Sequence, residues 1–251
     1  MKEVSAYSVL AAGYDVVMEH VDYDLWASHV QDLLTDFAPD GEKILELGCG
    51  TGSFALALRY LHPYTYLATD ASGRMVRVAQ AKAEMEGADI QFAEADFTDF
   101  RVDQLVDAVL LLYDGMNYLL TEERLGLLFS CAHRALKPGG VFVFDQSTPA
   151  NSVNNEALME DRGEAEGFGY VRHSKYDPET RIHTTVFEIE VLGKNFREEH
   201  QQRAYSLAEV AASAEAAGFA IAGRFEDFGR EDATEASERV HWVLRKPLDT
   251  P

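Results

Sequence analysis

The chain has 251 residues, 47% of them hydrophobic and 26% charged, which suits a globular protein of one large domain with an insertion. Acidic residues outnumber basic ones 43 to 22, and the resulting net charge of −21 repels phosphate backbones and excludes nucleic acid as an expected partner. No apolar run approaches the roughly 20 residues needed to span a bilayer, and two cysteines form neither a disulfide framework nor a metal knuckle.

Cys49 lies in a glycine loop and Cys131 in an expected helix, so both read as small packing residues, and no metal is expected. The opening MKEVSAYSVLAAGYD carries a Lys but soon meets Tyr14, Asp15 and Glu19 without a cleavage-like site. No signal peptide is expected there, and the chain reads as cytoplasmic.

From residue 43 to 147, strand-like and helix-like segments alternate, as in a parallel sheet covered by helices on both faces. KILELG (43–48) is the first expected strand and SFALALRYLH the first helix, stopped by Pro63. TYLATD (65–70) is the second strand, followed by the helix SGRMVRVAQAKAEMEG with Gly87 as its stop. DIQFAEAD is the third strand, and VDAVLLLYD (106–114) has the continuous apolar character of a central buried one. Thr121 caps the helix TEERLGLLFSCAHRAL, KPGG reads as a turn, and VFVFDQ is the fifth strand.

After Pro149, FGYVRHSKYD, RIHTTVFEIEVLG and NFREEHQQRAY alternate polar and apolar residues, as half-exposed antiparallel strands do, with a DPET turn between the first two. SLAEVAASAEAAGF returns to helix, with Ser206 and Glu209 spaced as a capping box and Gly218 closing it. AIAGRFEDF and RVHWVLRK are the last two strands, and the polar GREDATEASE between them reads as a mobile connection.

A strand, then glycines, then a helix start forms a corner that receives ligands, because bare backbone approaches closely and free helix N–H groups face outward. The dinucleotide fingerprint requires G-x-G-x-x-G/A. Gly48 and Gly50 fit it, but Ser53 holds the third position and the extra glycine falls early, at Gly52. Asp70 ends the second strand, where a carboxylate accepts both hydroxyls of a ribose in either nucleotide class. The stretch DASGRMVRVAQAKA follows it, EADFTDF ends the third strand, and LLYDGMNYLL ends the fourth.

Taken together, E-x-G-x-G-x-G from Glu46, D-x-S-x-x-M from Asp70 and the acid at Asp96 resemble the class I S-adenosylmethionine-dependent methyltransferases over residues 40–147. The resemblance implies an α/β fold: a Rossmann-like, seven-stranded, mostly parallel sheet with helices on both faces, an N-terminal helical lid and a small antiparallel β insertion. It implies S-adenosyl-L-methionine as cofactor and S-adenosyl-L-homocysteine as product. Glu46, Gly48, Cys49, Gly50 and Gly52 are then the corner that receives it. Asp70 meets the ribose with Ala71 beside it in the cofactor site, Met75 packs on the adenine, Asp96 and Phe97 read the adenine edge, and Tyr113 lines the corner that runs past the methyl group. The N-terminal Y-D-x-x-M (Tyr14, Asp15, Met18) and Y-x-x-W (Tyr23, Trp26) are similar to elements of small-molecule and amino-sugar N-methyltransferases, which implies that Tyr14 closes over the cofactor.

The same resemblance divides the chain into a lid (1–38), a cofactor-binding core (39–147), an antiparallel insertion roofing an acceptor pocket (148–205), and a closing helix with two strands (206–251). Asp114, Asn117, Arg172 and Tyr176 are substrate candidates, with Arg181 and Tyr205 in the same positional sense. Methyl transfer is an in-line displacement that needs alignment and exclusion of water rather than a dedicated nucleophile. His173 and His183 lie in the insertion and are open as bases; His133 sits late in a helix whose start faces the ligand, and no catalytic base is named.

The expectation is therefore methyl transfer to an N or O atom of a small-molecule acceptor, by a chain free of nucleic-acid and membrane partners, with a homodimer left open. Its competitors are an NAD(P)-dependent oxidoreductase and a non-catalytic protein that binds the nucleoside; methylation of tRNA or rRNA meets the charge objection.

Overall fold

The computed structural model describes residues 1–155 and 159–248, so residues 156–158 of the expected insertion and 249–251 of the expected closing unit lie outside it. Strand β1 (Lys2–Val4), a 3-10 turn at Leu10–Ala12, and helices α1 (Tyr14–Val17) and α2 (Tyr23–Phe37) come first. They lead to β2 (Lys43–Leu47), α3 (Ser53–Leu61), β3 (Thr65–Asp70), α4 (Gly73–Glu86) and β4 (Gln91–Glu94). Next come β5 (Val106–Leu111), a 3-10 turn at Gly115–Tyr118, α5 (Glu122–Ala135), β6 (Leu136–Ser147) and α6 (Pro149–Asn154). Strands β7 (Glu160–Ala165), β8 (Phe168–Asp177), β9 (Ile182–Val191) and β10 (Lys194–Arg203) follow, then α7 (Leu207–Ala216), β11 (Ala220–Glu226) and β12 (Arg239–Arg245).

The main sheet runs β11-β12-β6-β5-β2-β3-β4. Its β6, β5, β2, β3 and β4 are mutually parallel, and β12 and β11 finish it antiparallel. Strand alternation builds a core on each face. Leu45, Leu47, Val109, Leu111, Phe142 and Phe144 turn toward α5 and α7, while Ile44, Ala108, Leu110, Val141 and Val143 turn toward α2 and α3. Side-chain caps start the helices where the sequence places them: Asp22 accepts from Leu25 N–H, Ser72 from Met75 N–H and Thr121 from Arg124 N–H. Ser206 and Glu209 close a reciprocal capping box.

Because β2, β3, β4 and β5 are parallel, their C-terminal ends open on one edge, where α/β sheets receive ligands. A second sheet, β1-β10-β9-β8-β7, covers that edge; it is antiparallel except for β1, which pairs parallel with β10 through Lys2↔Phe196 and Val4↔Glu198. Phe168, Tyr170, Phe187 and Ile189 on this roof bury Leu10 and Val17 of the N-terminal segment.

Three local expectations change. KPGG is no turn: it lies inside β6, where Val106 pairs with Leu136 and Ala108 with Val141, so the extra residues bulge out within a continuous strand. The N-terminus contributes strand β1, whose partner is almost two hundred residues away. GREDATEASE is not a free connection, since Ala233 and Ser237 are buried and Ala233 N–H donates to Arg224 C=O at 2.9 Å.

Candidate active site

After β2 the backbone turns through Gly48, Gly50 and Gly52 at φ of 66°, 54° and 78°, a region that side-chain-bearing residues rarely adopt. A Cβ on Gly50 would make only an ordinary 3.6 Å contact with the Tyr14 ring, so its left-handed backbone is what calls for glycine, whereas one on Gly52 would press to 2.9 Å from Ala79 Cβ. The loop is fastened to β3: Cys49 N–H donates to Thr69 C=O at 2.9 Å, and Gly50 N–H donates to Asp70 Oδ2 at 2.9 Å. Asp70 Oδ1 accepts from Ser72 N–H at 2.8 Å, so the carboxylate is oriented while each oxygen keeps a further lone pair. Burial pushes Asp70 up and the two backbone donors pull it back, with a net rise.

The corner opens on a cleft of about 620 Å³. Glu46 lines it from β2, Gly48, Cys49 and Gly50 from the loop that follows, Asp70 and Ala71 from the end of β3, and Met75 from α4. Asp96 and Phe97 reach it from beyond β4, Tyr113 from beyond β5, and Tyr14 from the N-terminal segment. Gly52 stands behind the wall, against α4. Burial pushes the Glu46 carboxyl up to about 8 even though the Tyr66 hydroxyl donates to it at 2.9 Å. Burial would likewise raise Asp96, but the Thr98 N–H and hydroxyl, with Arg124, hold it below the usual carboxylate range. Burial raises the Cys49 thiol strongly, which suits packing rather than nucleophilic chemistry.

Asp15 clamps α1 onto the corner. Its carboxylate accepts from the Thr51 hydroxyl at 2.6 Å and pairs with Lys82 Nζ at 2.8 Å.

A second chamber of about 540 Å³ lies between α1, α2 and the roof sheet. Tyr7, Tyr14, Tyr113 and Tyr118 line both spaces and so form the partition. Tyr113 takes φ 58°, its ring lies 4.2 Å from that of Trp26, and its buried hydroxyl has no hydrogen-bond partner among the described residues. At the chamber's end, Arg239 sits between Asp114 and the fully buried Asp145, while Gln202 donates to Asp114 Oδ2 at 2.6 Å. Burial pushes both aspartates up, and the Arg239 guanidinium opposes it.

Of the substrate candidates, Asp114 and Arg172 line the chamber, and the buried Arg172 Nε lacks a partner among the described residues. Asn117 corrects the expectation. Its carboxamide donates to Ser147 C=O and Arg203 C=O, both at 2.8 Å, and accepts from Ser147 N–H, bracing β6 to β10 behind the wall. Tyr176 is also off the chamber, beside His183. Arg181 is consumed by a bidentate pair with Glu209, and Tyr205 is fully buried. His173 faces Glu160 and His133 packs against Phe219, both off the chamber, while His183 faces Ser152 and stands beside the chamber, paired across the roof with Gln202, without lining it.

Sequence reasoning missed the chamber's own polar groups: Tyr7, Tyr118, Gln202, His200 and Arg239, with Glu198 and Asp145 behind them. One signal was available. In NFREEHQQRAY the period of two places Glu198 and His200 on one face, and the structure shows that face buried.

Residues 44–140 match the family described as "Methyltransferase domain". Over 246 residues the chain is 30% identical to the Geobacillus sp. (strain WCH70) protein named "Putative methyltransferase GWCH70_2453", covering 96% of this chain and 99% of that one. It is 24% identical over 206 residues to the dTDP-3-amino-3,4,6-trideoxy-alpha-D-glucopyranose N,N-dimethyltransferase of Streptomyces venezuelae, covering 80% of this chain and 84% of that one. A crystal structure of an S-adenosylmethionine-dependent methyltransferase from Clostridium acetobutylicum superposes with a TM-score of 0.80 at 21% identity, over 96% of this chain and 99% of that one.

Proposed function

The chain belongs to the S-adenosylmethionine-dependent methyltransferases, and from that premise we propose that it methylates an N or O atom of a small molecule held in the chamber under the roof sheet. The observation that carries the reading is the tyrosine partition: two clefts of metabolite size meet at Tyr7, Tyr14, Tyr113 and Tyr118.

The residues present fit the cofactor. Bare backbone at Gly48 and Gly50 lines the cleft, Asp70 keeps lone pairs for two hydroxyls, and Met75 offers an apolar surface. In this reading Asp70 holds the ribose, Met75 and Phe97 flank the adenine, and Asp96 accepts from its amino group. When bound, S-adenosylmethionine supplies an electrophilic methyl group on a positively charged sulfur. The chain's own work is then to align the acceptor at the partition and to keep water out, with residues 1–38 as lid and 148–205 as roof.

The Streptomyces venezuelae relative is named for an amino sugar attached to a nucleotide, and we take amino sugars as the first acceptors to try. A cytoplasmic setting belongs to the same proposal, since both cysteines are free and buried as a reducing compartment allows. The net charge of −21 argues against nucleic acid as the acceptor.

Isothermal titration with S-adenosylhomocysteine, with NADH in a parallel cell, tests the cofactor assignment. Micromolar binding of the first and silence with the second are expected; binding of NADH alone would move the glycine corner to a dinucleotide.

A further inference from the structure

We propose that Tyr7 and Tyr118 are catalytic residues that take the proton released by the methyl acceptor and pass it to His200, which the buried Glu198 orients as a positioning residue. The inference rests on the small-molecule reading above and supplies the base that the sequence did not name.

The direction of each hydrogen bond follows from one carboxylate. Glu198 is fully buried, and its oxygens accept from Tyr7 N–H at 2.7 Å, Val9 N–H at 2.6 Å and Leu10 N–H at 3.0 Å. A group that accepts from three backbone donors is held as the carboxylate. Burial alone would raise it, yet the His200 ring and these donors keep it below the usual range. His200 Nε2, 3.3 Å from Glu198 Oε2, must then be the donor in that contact, which leaves Nδ1 of the neutral ring as an acceptor. Tyr118 lies 3.2 Å from Nδ1 and donates to it, so the Tyr118 oxygen is free to accept from the Tyr7 hydroxyl, its other partner. Tyr7 lines both clefts, so the chain of hydrogen bonds ends on a residue of the partition at which the proposed acceptor is held.

The transfer balances. The acceptor atom's lone pair forms the new bond to carbon, the pair of the broken carbon–sulfur bond stays on sulfur, and the acceptor sheds one proton. That proton passes to Tyr7 as Tyr7 passes its own to Tyr118 and Tyr118 passes its own to His200 Nδ1. The imidazolium so formed is paired with the Glu198 carboxylate, and both tyrosines end neutral. This matters because burial raises both phenols, so neither is a store for negative charge. The other titratable groups facing the relay are Tyr14 and Asp114 at the chamber and Asp70 at the corner.

Two measurements on the full-length chain decide it. Long-range 1H–15N correlation on protein labelled with 15N-histidine, with S-adenosylhomocysteine added, is expected to show the His200 proton on Nε2 and none on Nδ1. A proton on Nδ1, or on both nitrogens, would overturn the relay. In parallel, His200→Gln keeps an acceptor for Tyr118 but cannot carry the proton. Its transfer from radiolabelled S-adenosylmethionine to glucosamine or 3-amino-3-deoxyglucose, free and as thymidine diphosphate esters, should fall about 10²-fold at neutral pH and recover as pH rises. Its affinity for S-adenosylhomocysteine should stay within about twofold of the parent. An equal loss at every pH, or no loss, would overturn the proposal; Tyr118→Phe gives the same readout if the glutamine variant does not fold. If the parent chain labels none of these acceptors, the amino-sugar reading falls and the tautomer alone decides the relay; if it does not bind S-adenosylhomocysteine, the cofactor assignment falls separately.

Discussion

Gly50 N–H donates to Asp70 Oδ2 at 2.9 Å, so the bare corner after β2 and the acid at the end of β3 form one rim facing the cofactor cleft. Asp70→Ala removes both the brace and the proposed ribose acceptor. Affinity for S-adenosylhomocysteine should fall by about 2–3 kcal/mol, the cost of hydrogen bonds to a charged group. Isothermal titration checks it, and unchanged affinity would show that the ribose lies elsewhere.

Asp15 joins the lid helix α1 to Thr51 and Lys82, and its side chain is 49% exposed. An ion pair that open contributes little to global stability. Asp15→Asn should therefore raise the dissociation rate of S-adenosylhomocysteine severalfold while the melting temperature moves by no more than about 2 °C. Stopped-flow release together with calorimetry separates the two effects; a large drop in melting temperature would mean that the clamp holds the fold rather than the lid.

Much of this rim was legible in sequence because each of its parts is local. Gly48, Gly50 and Gly52 announce a left-handed backbone within five residues, and Asp70 and Met75 share one strand–helix junction. The acceptor side was not legible, for a physical reason. Glu198 meets Tyr7 across 191 positions and His200 meets Tyr118 across 82, through a β1–β10 pairing that three short N-terminal residues do not declare. Asn117 shows the converse: its place in the chain suggested the chamber wall, but its amide satisfies two backbone carbonyls behind it.

Glu46 ties stability to pH. Its folded carboxyl titrates at about 8 against an ordinary 4.5, so between those values the folded state holds a proton that the unfolded state has lost. Stability from this site is therefore present below about 4.5 and declines as pH rises through 8. Glu46→Gln should melt close to the parent at acid pH and above it in the alkaline range, by on the order of 3 kcal/mol. Melting curves across pH test it; a gap that narrows as pH rises would contradict the assignment.

Glu209 has the opposite sign. Burial would raise it, but Arg181 and the Ser206 cap hold it down at about 2. Its contribution is present above the ordinary value of 4.5 and is lost as pH falls through 2. Glu209→Gln keeps an amide oxygen for the Ser206 cap but loses the bidentate ionic pair with Arg181, and should lower stability at neutral pH by about 2 kcal/mol, with the difference closing in acid. Urea denaturation at several pH values measures it, and a difference independent of pH would refute the ionic origin.

The account stands most directly on where the methyl group goes. The chain would be incubated with radiolabelled S-adenosylmethionine and a bacterial cell extract, then split by ultrafiltration into small molecules and macromolecules. Label in the small-molecule fraction, on a compound heavier by one methyl group, is the predicted result. Label confined to protein or RNA would contradict the proposal that the chamber beneath the roof sheet takes a metabolite.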